Sequence, residues 1–310
     1  MKKPTPKIYR TTNWSSYNQA LIKRGNISIW FDPKTQWYAQ PQGKQGRNQT
    51  YSDTAIQCCL MIKSLFRLSL RMVTGFVQSL IKLCGLNWTA PDYSTLCRRQ
   101  KHIDIAISYQ KSHDGLHLLV DSTGLKFLGE GEWKRKKHQP EYRRQWRKLH
   151  IGIDAETLQI RAVQLTTNNV SDSQVLGDLL DQIPLDERID SVYTDGAYDT
   201  KCCRKVISDR QAHAVIPPRK NAKPWKDSKI SSIERNELLQ TVKHLGRTLW
   251  KKWSGYHRRS LVETKMHCIK LLGDKLMARS FPSQVNEIHA RVAVLNRFTE
   301  LGRPLTQVTP

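Results

Sequence analysis

Tyr256-His-Arg-Arg-Ser-Leu-Val-Glu-Thr-Lys-Met-His-Cys-Ile-Lys270 is the stretch around which the rest of the chain is arranged. Wound as an α-helix at roughly 100° per residue, it brings Tyr256, Arg259, Glu263, His267 and Lys270 into one sector about 80° wide. The far side carries Leu261, Val262, Cys268, Ile269 and Leu272, with Lys265 the misfit. One face is therefore expected to be buried, and the other to present Glu263 between cations. A solvated face with i,i+4 ion pairs, each worth about a few tenths of a kcal/mol, is the plain explanation. Two acidic positions upstream point elsewhere. Asp121 ends the apolar run Leu116-His-Leu-Leu-Val120 and precedes Ser-Thr-Gly, while Asp195 ends Ser191-Val-Tyr-Thr194 and precedes Gly-Ala-Tyr. Both are expected at strand ends. Two aspartates and a glutamate are the hard oxygen donors that Mg²⁺ takes, with water or phosphate completing its octahedron.

The spacing Tyr256, two residues, Arg259, three residues, Glu263, six residues, Lys270 matches the Tyr-Arg-Glu-Lys signature of bacterial insertion-sequence transposases, and the chain resembles the DDE type. The resemblance runs in order through Val120-Asp121-Ser-Thr-Gly, Gly129-Glu-Gly-Glu-Trp-Lys, Trp146-Arg-Lys-Leu-His, Asn169-Val-Ser-Asp-Ser, Asp195-Gly-Ala-Tyr-Asp and Ile216-Pro-Pro-Arg-Lys. Each short string is weak by itself, whereas their order over roughly residues 10 to 300 makes chance agreement improbable. The resemblance implies an α/β, ribonuclease H-like mixed-sheet catalytic domain. It assigns Asp121, Asp195 and Glu263 to catalysis and to two Mg²⁺ ions, with Mn²⁺ a possible substitute. Tyr256, Arg259 and Lys270 are assigned to DNA near the cut.

Composition bounds the partners. Against 27 Asp and Glu stand 51 Lys and Arg, a formal charge of +24 over 310 residues, which points to a polyanion and to nucleic acid first. The start Met-Lys-Lys-Pro-Thr-Pro-Lys has no apolar signal core and no myristoylation glycine. Lys63, Arg67, Arg71 and Lys82 interrupt the most apolar region, residues 55 to 86, so no membrane span is expected. The 7 cysteines are odd in number, and adjacent pairs such as Cys58-Cys59 lack zinc-ligand spacing, so a reducing, cytoplasmic setting is expected.

Residues 1–105 read as an N-terminal helical DNA-binding region. Asn13 is expected to cap a helix to Arg24, a strand-like Ile27-Ser-Ile-Trp-Phe31 follows, and residues 40–49 read as a linker. Asp53 is expected to cap the next helix, and Leu70, Val73, Phe76, Val77, Leu80 and Ile81 mark another. Asp92 caps a shorter one whose Ser94, Thr95, Arg98, Arg99 and Gln100 have the polarity of a helix lying in a DNA groove, or of an ordinary solvated face. From Leu116 the period changes to that of strands. The expected order over residues 113–301 is three antiparallel strands, a Ser171–Gln174 capping box opening a helix, the Asp195 strand, a helix, the strand His213 to Ile216, an insertion at about 220–255, the Glu263 helix and a covering helix. In the ribonuclease H-like fold the first and fourth strands are central neighbours, which sets Asp121 beside Asp195.

Basic residues around the site are expected to grip DNA. Lys134, Lys136, Lys137, Arg143, Arg144, Arg147 and Lys148 lie in the link between the first two strands, interleaved with Trp133, Tyr142 and Trp146, and Arg219 and Lys220 are placed on the other wall. Trp225, Trp250 and Trp253 either pack the insertion or receive an unstacked base. Asp154, Asp172 and Asp199 read as turn, helix-start and cap residues. The function expected is a transposase that binds the inverted-repeat ends of its element, cuts there by two-metal hydrolysis and joins the 3′ ends to target DNA, working as a dimer or larger assembly near the bacterial nucleoid. The rivals are a nuclease of the same fold without strand transfer and a catalytically dead DNA-binding repressor.

Overall fold

The computed structural model describes residues 9–41, 43, 48–112, 114–129, 137 and 145–308. The chain divides into two compact units, Met1–Ser108 with Ala293–Pro310, and Tyr109–Val292. Among the described residues no helix is long and apolar enough to cross a membrane. All seven cysteines are free.

The first unit is mostly helical. Its helices are α1 (Trp14–Arg24), α2 (Asp53–Phe66), α3 (Leu70–Leu83) and α4 (Tyr93–Arg99). Side-chain caps start three of them: Ser52 accepts from Ala55 N–H, Ser69 from Met72 N–H and Asp92 from Ser94 N–H. The cap of α2 is thus Ser52, one residue before the expected Asp53. Alternating burial of Ile56, Cys59, Leu60 and Ile62 against Val73, Val77, Ile81 and Leu96 forms the helical core. Two expectations change. Ile27–Ile29 is a 3-10 turn capped by Asn26, because the Asn26 side chain captures Ser28 N–H and curls the chain before pairing can begin. The N-terminal region also contains a strand, β1 (Tyr9–Thr11), which pairs antiparallel with Thr306–Val308 from the other end of the chain.

The second unit is built on a six-stranded sheet. Its strands are β2 (Leu116–Phe127), β3 (Arg147–Asp154), β4 (Ile160–Thr167), β5 (Ile189–Tyr193), β6 (His213–Val215) and β7 (Lys275–Leu276). The order is β4-β3-β2-β5-β6, with β7 pairing the far end of β2. β2, β3 and β4 form an antiparallel meander, and β5 joins β2 in parallel. Helices α5 (Asp172–Asp181) and α6 (Lys201–Asp209) flank β5 in sequence. The capping box of α5 forms as its sequence requires, Gln174 Oε1 accepting from Ser171 N–H at 2.9 Å. One face of β2, through Leu116, Leu118 and Val120, is sealed by Val175, Leu176, Leu179 and Leu180 of α5. Complete burial of each such side chain contributes about 1.5–3 kcal/mol. Between β6 and a 3-10 turn at Tyr256–Arg259 stand α7 (Ile230–Leu245) and α8 (Arg247–Trp253). Then come α9 (Ser260–Leu271), which packs on β2 and β3, and α10 (Phe281–Leu301). This sheet order and polarity is that of the ribonuclease H-like fold.

Candidate active site

Asp121 lies in mid-strand, a correction to its expected place at a strand end. β2 continues to Phe127, with Ser122, Thr123 and Gly124 still paired to His150, Leu149 and Lys148 of β3. The hydropathy drops after Val120 because the covering neighbour stops: β5 ends at Tyr193, which is paired with Leu119. Asp121 and Asp195 each lie two residues beyond that last pair, Asp121 still within β2 and Asp195 past the end of β5, and Asp195 is near enough to act on the Asp121 charge. Asp195 is the N-cap of the 3-10 turn Gly196–Tyr198, its Oδ1 accepting from Ala197 N–H at 2.8 Å.

The stretch from Tyr256 to Lys270 is two helical segments rather than one. Gly255 at φ 66° starts a 3-10 turn over Tyr256–Arg259, and α9 begins at Ser260. The buried stripe of α9 is Val262, Met266 and Ile269, while Glu263 and His267 are exposed. Arg259 is the link between the acids. One guanidinium nitrogen donates to Asp121 Oδ2, and the other to Glu263 Oε1 at 2.7 Å. Lys270 Nζ donates to Thr123 Oγ1 at 2.7 Å, two residues along β2 from Asp121. Burial pushes the Asp121 carboxyl above its usual pKa, with Arg259 and Ser122 N–H pulling the other way. Burial is the largest single influence and works against the Arg259 charge, but Asp121, Tyr256 and Glu263 together outweigh it and the net direction is up, so the guanidinium stays protonated. Tyr256 is buried and its ring lies 5.7 Å from that of Trp250.

Among the described residues no group of three or more His, Cys, Asp and Glu is gathered closely enough to hold a metal ion. The guanidinium of Arg259 spans Asp121 and Glu263 and supplies the positive charge between them. The donors themselves are of the right kind, since carboxylate oxygens on a rigid strand and a helix start suit Mg²⁺.

Several basic residues expected at DNA also hold groups of the fold itself. Arg99 donates to Tyr51 O at 2.9 Å and ion-pairs with Asp53, while Arg98 is exposed. Arg147 donates to Gln284 Oε1 at 2.8 Å and lies over the Phe127 ring at 4.4 Å. Lys148 pairs with Asp172 at 2.8 Å and donates to Val170 O at 3.0 Å. Arg219 donates to Gly196 O at 3.2 Å and Ala197 O at 3.0 Å, and Lys220 is exposed. Lys134, Lys136, Arg143 and Arg144 lie outside the described residues, and Lys137 is exposed.

Two acids carry more structure than their sequence reading gave them. Asp172, expected only to start α5, also ties that helix to Lys148 on β3. Asp199, expected as a cap, is buried between Arg204 and Arg235 at 3.0 and 3.2 Å. Both occur in motif strings, but nothing in their spacing names the partners. A cleft of about 460 Å³ opens beside β5, lined by Tyr193, His213, Glu234, Glu237, Trp250 and Trp253. Trp250 is packed, whereas Trp253 is 78% exposed.

A family model described as a transposase DDE domain matches residues 112–297, which contain all three acids. A second model of the same description matches residues 22–130.

Proposed function

Because the chain belongs to the DDE transposase family, we propose that it binds the inverted-repeat ends of its own element, cuts the DNA there and transfers the freed 3′ ends to target DNA. The observation that carries this reading is the convergence of Asp121 and Asp195, each two residues past the last β2–β5 pair and coupled electrostatically, with Glu263 tied to Asp121 through Arg259. Asp121, Asp195 and Glu263 are the residues that would hold two Mg²⁺, or Mn²⁺ in their place. Two such ions, when bound, stabilise the attacking and leaving oxygens of an in-line phosphodiester displacement.

The protein's own contribution is placement and charge. β2 is a central strand, so Asp121 is held by ladder bonds on one side and by buried Leu119 and Val120 just before it. Glu263 sits in the first turn of α9, where the helix dipole favours a carboxylate. Arg259 suits a second role at the scissile phosphate, because its planar fork fits phosphate oxygens as well as carboxylates. Lys270, as a point charge, and Tyr256 complete the wall of the proposed DNA path. The exposed Arg98, Lys137 and Lys220 add sequence-independent, salt-sensitive attraction to the duplex. Residues 1–105 are proposed to recognise the ends. Pairing two ends calls for a dimer or larger assembly, acting in the cytoplasm on nucleoid DNA.

The test is incubation of the purified protein with a plasmid carrying the element ends, a second target plasmid and Mg²⁺, followed by mapping of breaks and junctions. Cuts at the ends with covalent joining to target are expected. Cutting without joining would make the protein a nuclease, and end binding with no cutting would make it a repressor.

A further inference from the structure

The turn that carries Asp195 is fastened from several directions, and one fastening comes from the helices inserted between β6 and α9. Arg219, beyond β6, grips the carbonyls of Gly196 and Ala197. Asp199 closes the turn and is 5% exposed. It accepts from Arg204 Nε of α6 at 3.0 Å and from a terminal guanidinium nitrogen of Arg235 on α7 at 3.2 Å. The other terminal nitrogen of Arg235 donates to Lys223 O at 2.6 Å, and its guanidinium lies 4.6 Å from the Trp225 ring centre. Asn236 holds Trp225 in turn, through its N–H at 2.8 Å and its carbonyl at 2.9 Å. Residues 223–225 and α7 are therefore one block, attached to the Asp195 turn at Asp199.

Stability does not ask for this arrangement. Asp199 and Arg204 already form a neutral pair, and a second buried guanidinium brings a desolvation cost with no carboxylate of its own. Arg235 is 2% exposed, and the face of Trp225 and the Lys223 carbonyl offset that cost only within the inserted block. What the extra arginine adds is a rigid connection. We propose that Arg235 is a positioning residue for Asp195: through Asp199, the inserted helix fixes the turn and thereby the orientation in which Asp195 meets a divalent cation. This rests on the reading of Asp195 as a metal ligand. Groups that orient a ligand from behind typically change metal affinity about 10–100-fold when removed.

The test is Mn²⁺ binding to the full-length protein without DNA, followed by electron paramagnetic resonance, together with the melting temperature of each variant. Arg235→Met keeps an aliphatic stem against Trp225 and leaves Asp199 paired with Arg204, so the fold is expected to survive. Asp195→Asn serves as the reference. Both are expected to weaken Mn²⁺ binding about tenfold, and Arg235→Lys, which reaches Asp199 or Lys223 O but does not span both, to weaken it less. Wild-type affinity in Arg235→Met beside weakened binding in Asp195→Asn overturns the positioning role and leaves the metal reading standing. Wild-type affinity in Asp195→Asn removes the metal reading and this inference with it. Should Arg235→Met fail to fold, Arg235→Lys decides by the same comparison, because it keeps the buried charge.

Discussion

Arg259 donates to Asp121 across 138 positions of sequence, and that bond joins the start of α9 to the middle of β2. The same guanidinium reaches Glu263, so a cation already spans two of the acids. Arg259→Ala is expected to preserve metal binding, since it removes a competing cation and no ligand. Cleavage is expected to become weaker or misplaced, because the fork that would grip phosphate is gone. Loss of hydrogen bonds to charged groups costs about 1.5–3 kcal/mol, to be seen in urea unfolding. Loss of Mn²⁺ binding in a folded Arg259→Ala protein would show that the arginine organises the acids rather than the DNA.

Neutralising the acids one at a time separates chemistry from binding. Asp121→Asn, Asp195→Asn and Glu263→Gln keep side-chain volume but remove the charge that hard cations require. Each is expected to abolish cleavage while end-DNA retention in gel shifts stays largely intact. Any one of the three variants that still cuts at the wild-type rate would strike its residue from the ligand set.

The sheet was legible because the apolar runs of its strands are bounded. Leu149, Ile151 and Ile153 alternate as a strand must, and all three are fully buried. Asp121 and Asp195 were found by the residues that follow them, but the extent of β2 was not. Ser122, Thr123 and Gly124 look like a turn, and only the β3 ladder shows that they remain in the strand. The basic residues were harder still. Arg99, Arg147, Lys148 and Arg219 are expected at DNA from charge alone, and the sequence does not show that each also reaches a carbonyl, an amide oxygen or a carboxylate of the fold. Periodicity says which face a side chain leaves from; it does not say how far a long side chain reaches, or which carbonyl meets it. The pairing of β1 with Thr306–Val308 was invisible for a related reason, because three polar-flanked residues at each end carry no pattern to match.

Asp154 is a structural acid, and its loss is expected to be expensive. It is 1% exposed and accepts from Ser112 Oγ at 3.0 Å, Thr157 Oγ1 at 2.7 Å, Glu156 N–H at 2.9 Å and Arg161 at 3.0 Å. Arg161 is itself buried, so Asp154→Ala strands a guanidinium in the interior. Removing one partner of such a pair costs about 3–5 kcal/mol. Urea unfolding measures this directly, and a loss below about 1 kcal/mol, the range of exposed pairs, would mean that Arg161 finds another partner.

His150 is expected to weaken the fold in mild acid. It is fully buried on β3, its Nε2 is 3.0 Å from Thr166 Oγ1 and its Nδ1 is 3.6 Å from Asp172 Oδ1. Burial pushes its pKa from 6.5 down to about 4, with Asp172 opposing that shift and Lys148 adding to it. Between those values the unfolded chain takes up a proton that the folded chain refuses, so stability must decline as pH falls from 6.5 towards 4. At about 1.4 kcal/mol per pH unit the full loss is on the order of 3 kcal/mol. Asp154 and Asp172, whose carboxyls are held below their usual value of 3.8, lose stability below that pH and so outside this window. His150→Gln keeps a hydrogen-bonding amide near Thr166 without a titrating ring. Urea unfolding at pH 7, 5.5 and 4.5 is expected to show a steep decline for the wild type and a flatter one for His150→Gln, and parallel declines would assign the acid response to other groups.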